Sequence, residues 1–423
     1  MIRLYTISTL TLVALAAGAA IEAQTTAYVG ASVWDGTGSP LIRDATIVVE
    51  DGRITALSRS AEIPTGTEIV FLEGKFIIPG LINTHGHVSG RWASDEIVNE
   101  QDRIRGDLEL FAIYGVTTVN SLGDGPAVIE ARQSSTPLDP RARLLAAGSV
   151  VAATNPTDAR NQAITNADAG ADWLKLRVDD NLGSSTKMPW DAVQAVMEVG
   201  DQRGLRVATH LFYLEDAKRL LDMGTGMLAH SVRDMDVDQE FIDGILESGV
   251  CYVPTLTREV STYIYGTRPG FFDDEFFTEY AHKGEVERLS DPAYMERTSE
   301  SAAGTGYRIA LVQAVENMMI LQDAGVPVTF GTDAGPAGRF PGYFEHMELA
   351  LMVGGGMTPT QALLAATSVA ASCLGRDDIG TLVPGKWADF LVLDENPTRD
   401  ITYTQKIDQV YVAGQPVRFK TEN

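Results

Sequence analysis

The chain has 423 residues, with 33 Lys+Arg against 57 Asp+Glu for a formal charge of −24, and 44% of its residues are hydrophobic. That apolar fraction excludes a wholly disordered chain, and the acidic balance excludes a simple electrostatic grip on nucleic acid or anionic lipid. The two cysteines, Cys251 and Cys373, exclude a disulfide framework and a thiolate metal site, so a bound metal needs imidazole, carboxylate or something less usual.

The chain opens with Arg3, an apolar run over 10–17 and small residues up to Ala20 and Ala23. This reads as a secretory signal over residues 1–23, too short to span a bilayer, and predicts a periplasmic or secreted protein with no stable membrane insertion after cleavage. Residues 25–74 read as short strands and turns, with an Asp51-Gly52 hairpin signal. Residues 380–423 have the same character, so the two ends predict one small β-sandwich built from both termini.

Between them, residues 75–379 alternate short β-branched runs with amphipathic stretches. The runs are 76–82, 116–119, 143–146, 173–176, 205–209, 227–229, 250–253 and 326–330. Eight such units predict an α/β chain folded as a (β/α)8 TIM barrel. A doubly wound open sheet is the rival, but no Gly-x-Gly-x-x-Gly follows the first run. Residues 257–305 form a long aromatic-rich insertion, expected to be a partly helical lid or an assembly surface in a homo-oligomer.

The histidines carry the chemistry. His85 and His87 follow the first strand, where residues two apart share a face. His210 ends the fifth strand, His230 the sixth, and Asp333 follows the eighth. In a parallel barrel these ends meet at one mouth, and four imidazoles with a carboxylate predict a divalent-metal site, zinc being the best match to N/O ligands. Singly, His85 also reads as a helix cap and His210 or His230 as a core imidazole; the joint placement favours metal. His282 and His346 read as structural. Lys175 ends the fourth strand. A desolvated Lys can lose its proton and take up CO2 as a carbamate able to bridge two ions; the alternative is a salt bridge to Asp333 or Asp179.

These residues resemble the amidohydrolase superfamily. The resemblance runs through Pro79-Gly-Leu-Ile-Asn-Thr-His85-Gly-His87, Lys175, Val207-Ala-Thr-His210, Leu228-Ala-His230, Phe330-Gly-Thr-Asp333 and the closing stretches 357–367 and 380–393. The nearest branch is the imidazolonepropionase-related enzymes, which include metal-dependent Xaa-Pro dipeptidases. The resemblance implies one metal on His85, His87 and Asp333 and a second on His210 and His230, bridged by carboxylated Lys175 and hydroxide. Asn83 stands where the family usually has Asp. The implied function is a secreted metal-dependent amidohydrolase acting on a dipeptide of Xaa-Pro type or an N-acyl amino acid, with Asp333 moving the proton from water to the leaving amine. A cyclic amide, lactone or phosphotriester is the alternative substrate, and a non-enzymatic metal-binding or assembly protein the alternative class. Tyr213, Arg177 and Arg233 are the candidate substrate contacts, with Arg258 and Arg339 also lying beyond strand ends; Tyr213 resembles a substrate-contacting Tyr of related peptidases.

Overall fold

The computed structural model describes residues 25–94 and 96–418; the expected signal segment lies outside them. The strands are β1 (Thr25–Val33), β2 (Ile42–Glu50), β3 (Arg53–Ser58), β4 (Glu68–Phe71), β5 (Phe76–Pro79), β6 (Leu81–Gly86), β7 (Val116–Ser121), β8 (Arg143–Ala146), β9 (Trp173–Arg177), β10 (Arg206–His210), β11 (Met227–Ala229), β12 (Cys251–Val253), β13 (Phe390–Leu393), β14 (Ile407–Val412) and β15 (Gln415–Pro416).

Both chain ends enter one sheet of order β15-β14-β13-β5-β1-β2-β3, with β4 also paired to β1. Asp51 and Gly52 both take positive φ at the β2–β3 turn, the twist a two-residue hairpin needs. The pairing differs from two stacked sheets in being a single ladder that branches at β1. Residues 26–29 of β1 pair with β4 and residues 32–33 with β5. The sheet nevertheless encloses a core. Tyr28 packs edge-on against Phe390 and Tyr411, with ring centroids 4.9 Å away in each case.

From β6 onward parallel strands alternate with helices. They form a three-stranded sheet, β6-β7-β8, and a four-stranded one, β12-β11-β10-β9. An isolated bridge from Val151 to Leu176 links the two. The eighth expected strand, 326–330, is not a ladder strand. It makes one bridge, Val328 to Tyr252, and its Phe330 carbonyl accepts from Thr84 N of β6 at 3.0 Å. Helices Trp190–Arg203 and Gln239–Ser248 are each closed by a glycine, Gly204 and Gly249.

Alternation along these strands divides the interior in two. Leu174, Leu176, Val207, Leu228 and Tyr252 join the large core shared with the helices. Ile82, Leu145, Trp173, Ala208, Met227, Cys251 and Val253 form a second core. Residues Ala370, Ala371, Cys373 and Leu374 of helix Ser368–Leu374 pack into it. Lys175 lies two residues beyond Trp173, and His210 two beyond Ala208, so both point to the same side one layer further along.

The two cysteines form no framework, but they do pair: Cys251, opening β12, is disulfide-bonded to Cys373 across 122 residues. Their separation hid the contact from the sequence. A cross-link over so long a loop restricts the unfolded chain strongly. Replacing both with Ser is expected to lower unfolding free energy by about 2–5 kcal/mol in a denaturant titration.

The aromatic insertion is partly helical, as expected, but its rings turn inward. Tyr265, Phe272 and Phe277 are buried with Trp92, Tyr114, Phe340, Tyr343 and Phe344 in a cluster of their own. Tyr263, Phe271, Phe276 and Tyr280 are half-buried.

Candidate metal centre and active site

The C-terminal ends of β6, β9, β10 and β11, with the loop after 326–330, gather all six sequence-predicted ligands. Asp333 is the hub. Its Oδ1 lies 2.8 Å from His87 Nε2 and 3.6 Å from His85 Nε2, and its Oδ2 lies 4.0 Å from His230 Nε2. Donor atoms of His85, His230 and Asp333 all fall within 4.8 Å of one another. Lys175 Nζ sits 3.2 Å from His85 Nε2. The His210 and His230 ring centroids are 4.1 Å apart.

Each element is held by bonds that the ligand spacing alone does not reveal. Asp333 has φ 56°, a left-handed conformation that costs a non-glycine residue about 1 kcal/mol or more unless the surroundings enforce it. Here its N–H is tied to the His85 carbonyl at 2.6 Å. Two residues on, a Cβ at Gly335 (φ +120°) would meet the His87 carbonyl oxygen at 2.3 Å, so this approach of the loop to His87 requires glycine. Asn83, the departure from the family pattern, accepts from His85 N and donates to Thr332 Oγ1 and Glu345 Oε1. Glu345 and Glu348, on helix Tyr343–Gly354, are buried, and burial pushes both carboxyls up to about 7 against their hydrogen bonds. Glu348 accepts from the N–H groups of Leu256 and Thr257 and from the Thr257 hydroxyl, each at 2.7 Å. That segment carries Thr255, whose Oγ1 lies 2.6 Å from His230 Nδ1.

Three of the imidazoles keep one nitrogen outward and one toward the cluster. His87 Nδ1 lies 3.0 Å from Asp124 Oδ1, and His210 Nε2 lies 2.7 Å from Asp179 Oδ2. Each carboxylate fixes the ring and its tautomer. His230 Nε2 is buried with no hydrogen-bond partner. Burial holds His85 and His230 well below the usual imidazole range and His210 down at about 3, so their lone pairs are free. Burial also brings Lys175 down to about 7, over the opposing pull of Asp333. Burial pushes Asp333 up, but Arg339, His87 and His85 outweigh it and hold the carboxyl well below its usual value. His87 goes the other way: burial lowers it, but Asp124 and Asp333 raise it to about 9. His87 Nε2 and Asp333 Oδ1, 2.8 Å apart, are both groups that can turn to a cation, and metal binding displaces a proton shared by such groups. An orphaned buried imidazole nitrogen, neutral rings and a low-lying carboxylate form a donor set that fits divalent ions.

Asp124 and Asp179 were missed as ring-orienting groups because two loop acids do not stand out among 57. Asp124→Asn is expected to weaken metal retention or activity about 10–100-fold, measured by chelator competition together with kcat/KM.

The candidate substrate contacts are more engaged. Arg177 is bonded to Asn181 and lies 3.7 Å from Asp179. Tyr213 OH donates to Asp180 at 2.8 Å, and Lys187 Nζ stands 3.9 Å from its ring centre. Arg233 is buried, its Nε 3.0 Å from Glu259 Oε1. Arg339 pairs with Asp333. His346 is bonded to Thr404 and to the Tyr114 carbonyl, and His282 caps helix Lys283–Leu289, away from the cluster.

A family model described as the amidohydrolase family matches residues 76–417. The imidazolonepropionase of Deinococcus radiodurans is 25% identical over 396 residues, covering 88% of this chain and 92% of that protein. Among solved structures, a Xaa-Pro dipeptidase with bound methionine superposes with TM-score 0.71 at 22% identity, covering 93% of this chain and 99% of its own. The A. niger ochratoxinase does so with TM-score 0.73 at 18% identity, covering 93% and 96%. At those identities the two structures speak to the fold alone. With a model match over most of its length, and with histidines and Asp333 gathered at the strand ends, this chain belongs to the amidohydrolase family.

Proposed function

We propose that this protein is an exported binuclear metal amidohydrolase that cleaves an amide bond of a dipeptide, of Xaa-Pro type, or of an N-acyl amino acid, at the mouth of a closed (β/α)8 barrel. The observation that carries the reading is the convergence of His85, His87, Lys175, His210, His230 and Asp333 on one buried cluster. Closure is supported by the bridges from Val151, in the segment after β8, to β9 and from β12 to 326–330, and by the bond from β6 to Phe330. Export is supported by the character of the first residues and by the Cys251–Cys373 disulfide, a bond favoured outside the reducing cytosol.

His85, His87 and Asp333 would hold one divalent ion, zinc by donor type, and His210 and His230 a second, with carboxylated Lys175 between them. Bound there, such ions supply Lewis acidity and an acidified water. The chain's own contribution is positioning and proton transfer. Asp124, Asp179 and Thr255 hold His87, His210 and His230 at fixed angles. Asp333, ionised at neutral pH, accepts a proton from the attacking water and returns it to the departing amine nitrogen. The buried setting of its carboxylate keeps bulk water from competing for that proton.

The test is elemental analysis of the purified protein joined to an activity screen over dipeptides, N-acyl amino acids, lactones and aryl phosphotriesters. About two transition-metal ions per chain and preferred turnover of amides are expected. Metal-free protein with full activity, or turnover confined to phosphotriesters or lactones, would overturn the reading.

A further inference from the structure

At the opposite ends of the parallel strands from the histidines, a cleft of about 300 Å3 is lined by Arg132, Arg141, Arg143 and Arg376. Arg132 lies in the last turn of helix Pro126–Ser134, Arg143 opens β8, and Arg376 follows helix Ser368–Leu374. Four guanidiniums at one cleft run against the balance of a chain that carries −24 overall.

Their bonds divide them. Arg143 is spent on structure: its Nε and Nη2 donate to Asp389 at 2.7 and 2.9 Å, and its Nη1 to the Pro137 carbonyl at 2.8 Å. The other three keep donors in hand. Arg132 Nη2 donates to Asp172, Arg141 Nη2 to Asp139, and Arg376 through Nε and Nη2 to Asp378. Nη1 of each makes no bond to a described residue, and Arg141 Nε is buried with no hydrogen-bond partner. The acceptors nearby are better served. Among the described residues lining the cleft, Asp139 is the one carboxylate, and it also takes the N–H and hydroxyl of Thr136. Behind the lining, Asp172 takes the Ala146 N–H and Asp378 the Trp387 indole N–H. The Ala131 carbonyl takes the hydroxyls of Ser134 and Ser135. Carboxylates therefore steady the guanidiniums from outside the cleft, and unused N–H groups remain to serve a ligand within it.

We infer that this cleft binds a phosphoryl dianion, either free phosphate or the phosphate end of a small monoester. Guanidinium forks match oxyanions. Three of them suit a group with three acceptor oxygens and a charge near −2 at neutral pH, whereas a carboxylate has two oxygens and one charge. Pro137, Ala142 and Leu144, also on the lining, give an organic body an apolar wall. An occupant would tie helix Pro126–Ser134 to the segment after helix Ser368–Leu374 and, through Asp172, to the start of β9, so binding should stabilise the fold. The site stands apart from the histidine cluster and does not depend on the hydrolase reading.

The experiment titrates inorganic phosphate and, separately, glycerol 3-phosphate into the purified protein at constant ionic strength, by calorimetry and by thermal unfolding, with acetate as the control. Saturable binding of one phosphate or monoester per chain is expected, with Kd of about 1 mM or tighter, and the unfolding temperature should rise with concentration. Arg141→Met and Arg376→Met should each weaken it about tenfold or more, as suits the loss of a charge-assisted bond, and leave amide turnover unchanged. Arg141→Lys and Arg376→Lys, which keep the charge, should retain part of the binding and carry the test if the Met variants fail to fold. Tighter binding of glycerol 3-phosphate identifies a monoester, and tighter binding of inorganic phosphate the free ion. No saturable binding of either, equal binding of acetate, or a signal that survives all four substitutions, as phosphate at the metal centre would give, overturns the inference.

Discussion

Asp333→Asn should lose at least about 10³-fold in kcat/KM, within the range general acid–base groups supply, while elemental analysis still finds most of the metal. The two readouts separate because the proposed reading gives Asp333 two tasks. As a ligand, its Oδ1 faces His87 and His85, and an Asn oxygen in the same place remains an acceptor, though a neutral and weaker one. Asn also tolerates the left-handed backbone that Asp333 adopts, so the loop and its bond to the His85 carbonyl are expected to survive. As a base, however, an amide has no usable proton affinity at neutral pH, and the neighbouring carboxylates Asp124 and Asp179 are spent on the outer nitrogens of His87 and His210. An Asn variant that turned over within tenfold of the native enzyme would move the base elsewhere. Loss of metal in step with activity would reduce Asp333 to a ligand.

The site was legible in the sequence wherever one rule sufficed, namely that parallel strands present their C-terminal residues at a common edge. That rule located His85, His87, Lys175, His210, His230 and Asp333 without any contact information. It could not locate what holds them. Glu345 and Glu348 lie on a helix beyond the last strand, and nothing in their spacing says that one will brace Asn83 and Thr332 and the other the Thr255–Thr257 segment. Their burial as carboxyls is a tertiary fact. The Cys251–Cys373 bond was hidden for the same reason: its partners come together only when the final helix packs against the second core. The packing of the insertion was hidden in the same way: Tyr265, Phe272 and Phe277 are buried by Trp92, Tyr114, Phe340 and Phe344, which arrive from elements distant in the chain. The stretch 326–330 was read as a full strand from its composition, yet it contributes one bridge: its Val326 carbonyl accepts from Val328 N, its Phe330 carbonyl serves β6, and Phe330 N donates to the Ala365 carbonyl.

Lys175→Ala is the second decisive variant, with an expected loss of about 10³-fold in activity and of a large part of the bound metal. Lys175 is 3% exposed, its Nζ lies 3.2 Å from His85 Nε2, and it stands on a strand among three imidazoles with free lone pairs. An ammonium there would repel a divalent ion. A neutral amine, which burial makes accessible near pH 7, can attack CO2 through its nitrogen lone pair. A C–N bond forms, one proton leaves to solvent, and the result is a carbamate whose two oxygens suit a pair of cations. Two consequences distinguish this from a plain structural lysine. Carbon-13-labelled bicarbonate should be incorporated in proportion to bound metal, because each stabilises the other. And the space vacated in the Ala variant should admit a short carboxylic acid, so that acetate or propionate restores part of the lost activity, which added lysine analogues carrying only an amine should not. A native enzyme that takes up no label while fully loaded with metal, or an Ala variant that retains both ions and turnover, would leave Lys175 as a buried packing residue and the site with its four imidazoles and Asp333 alone.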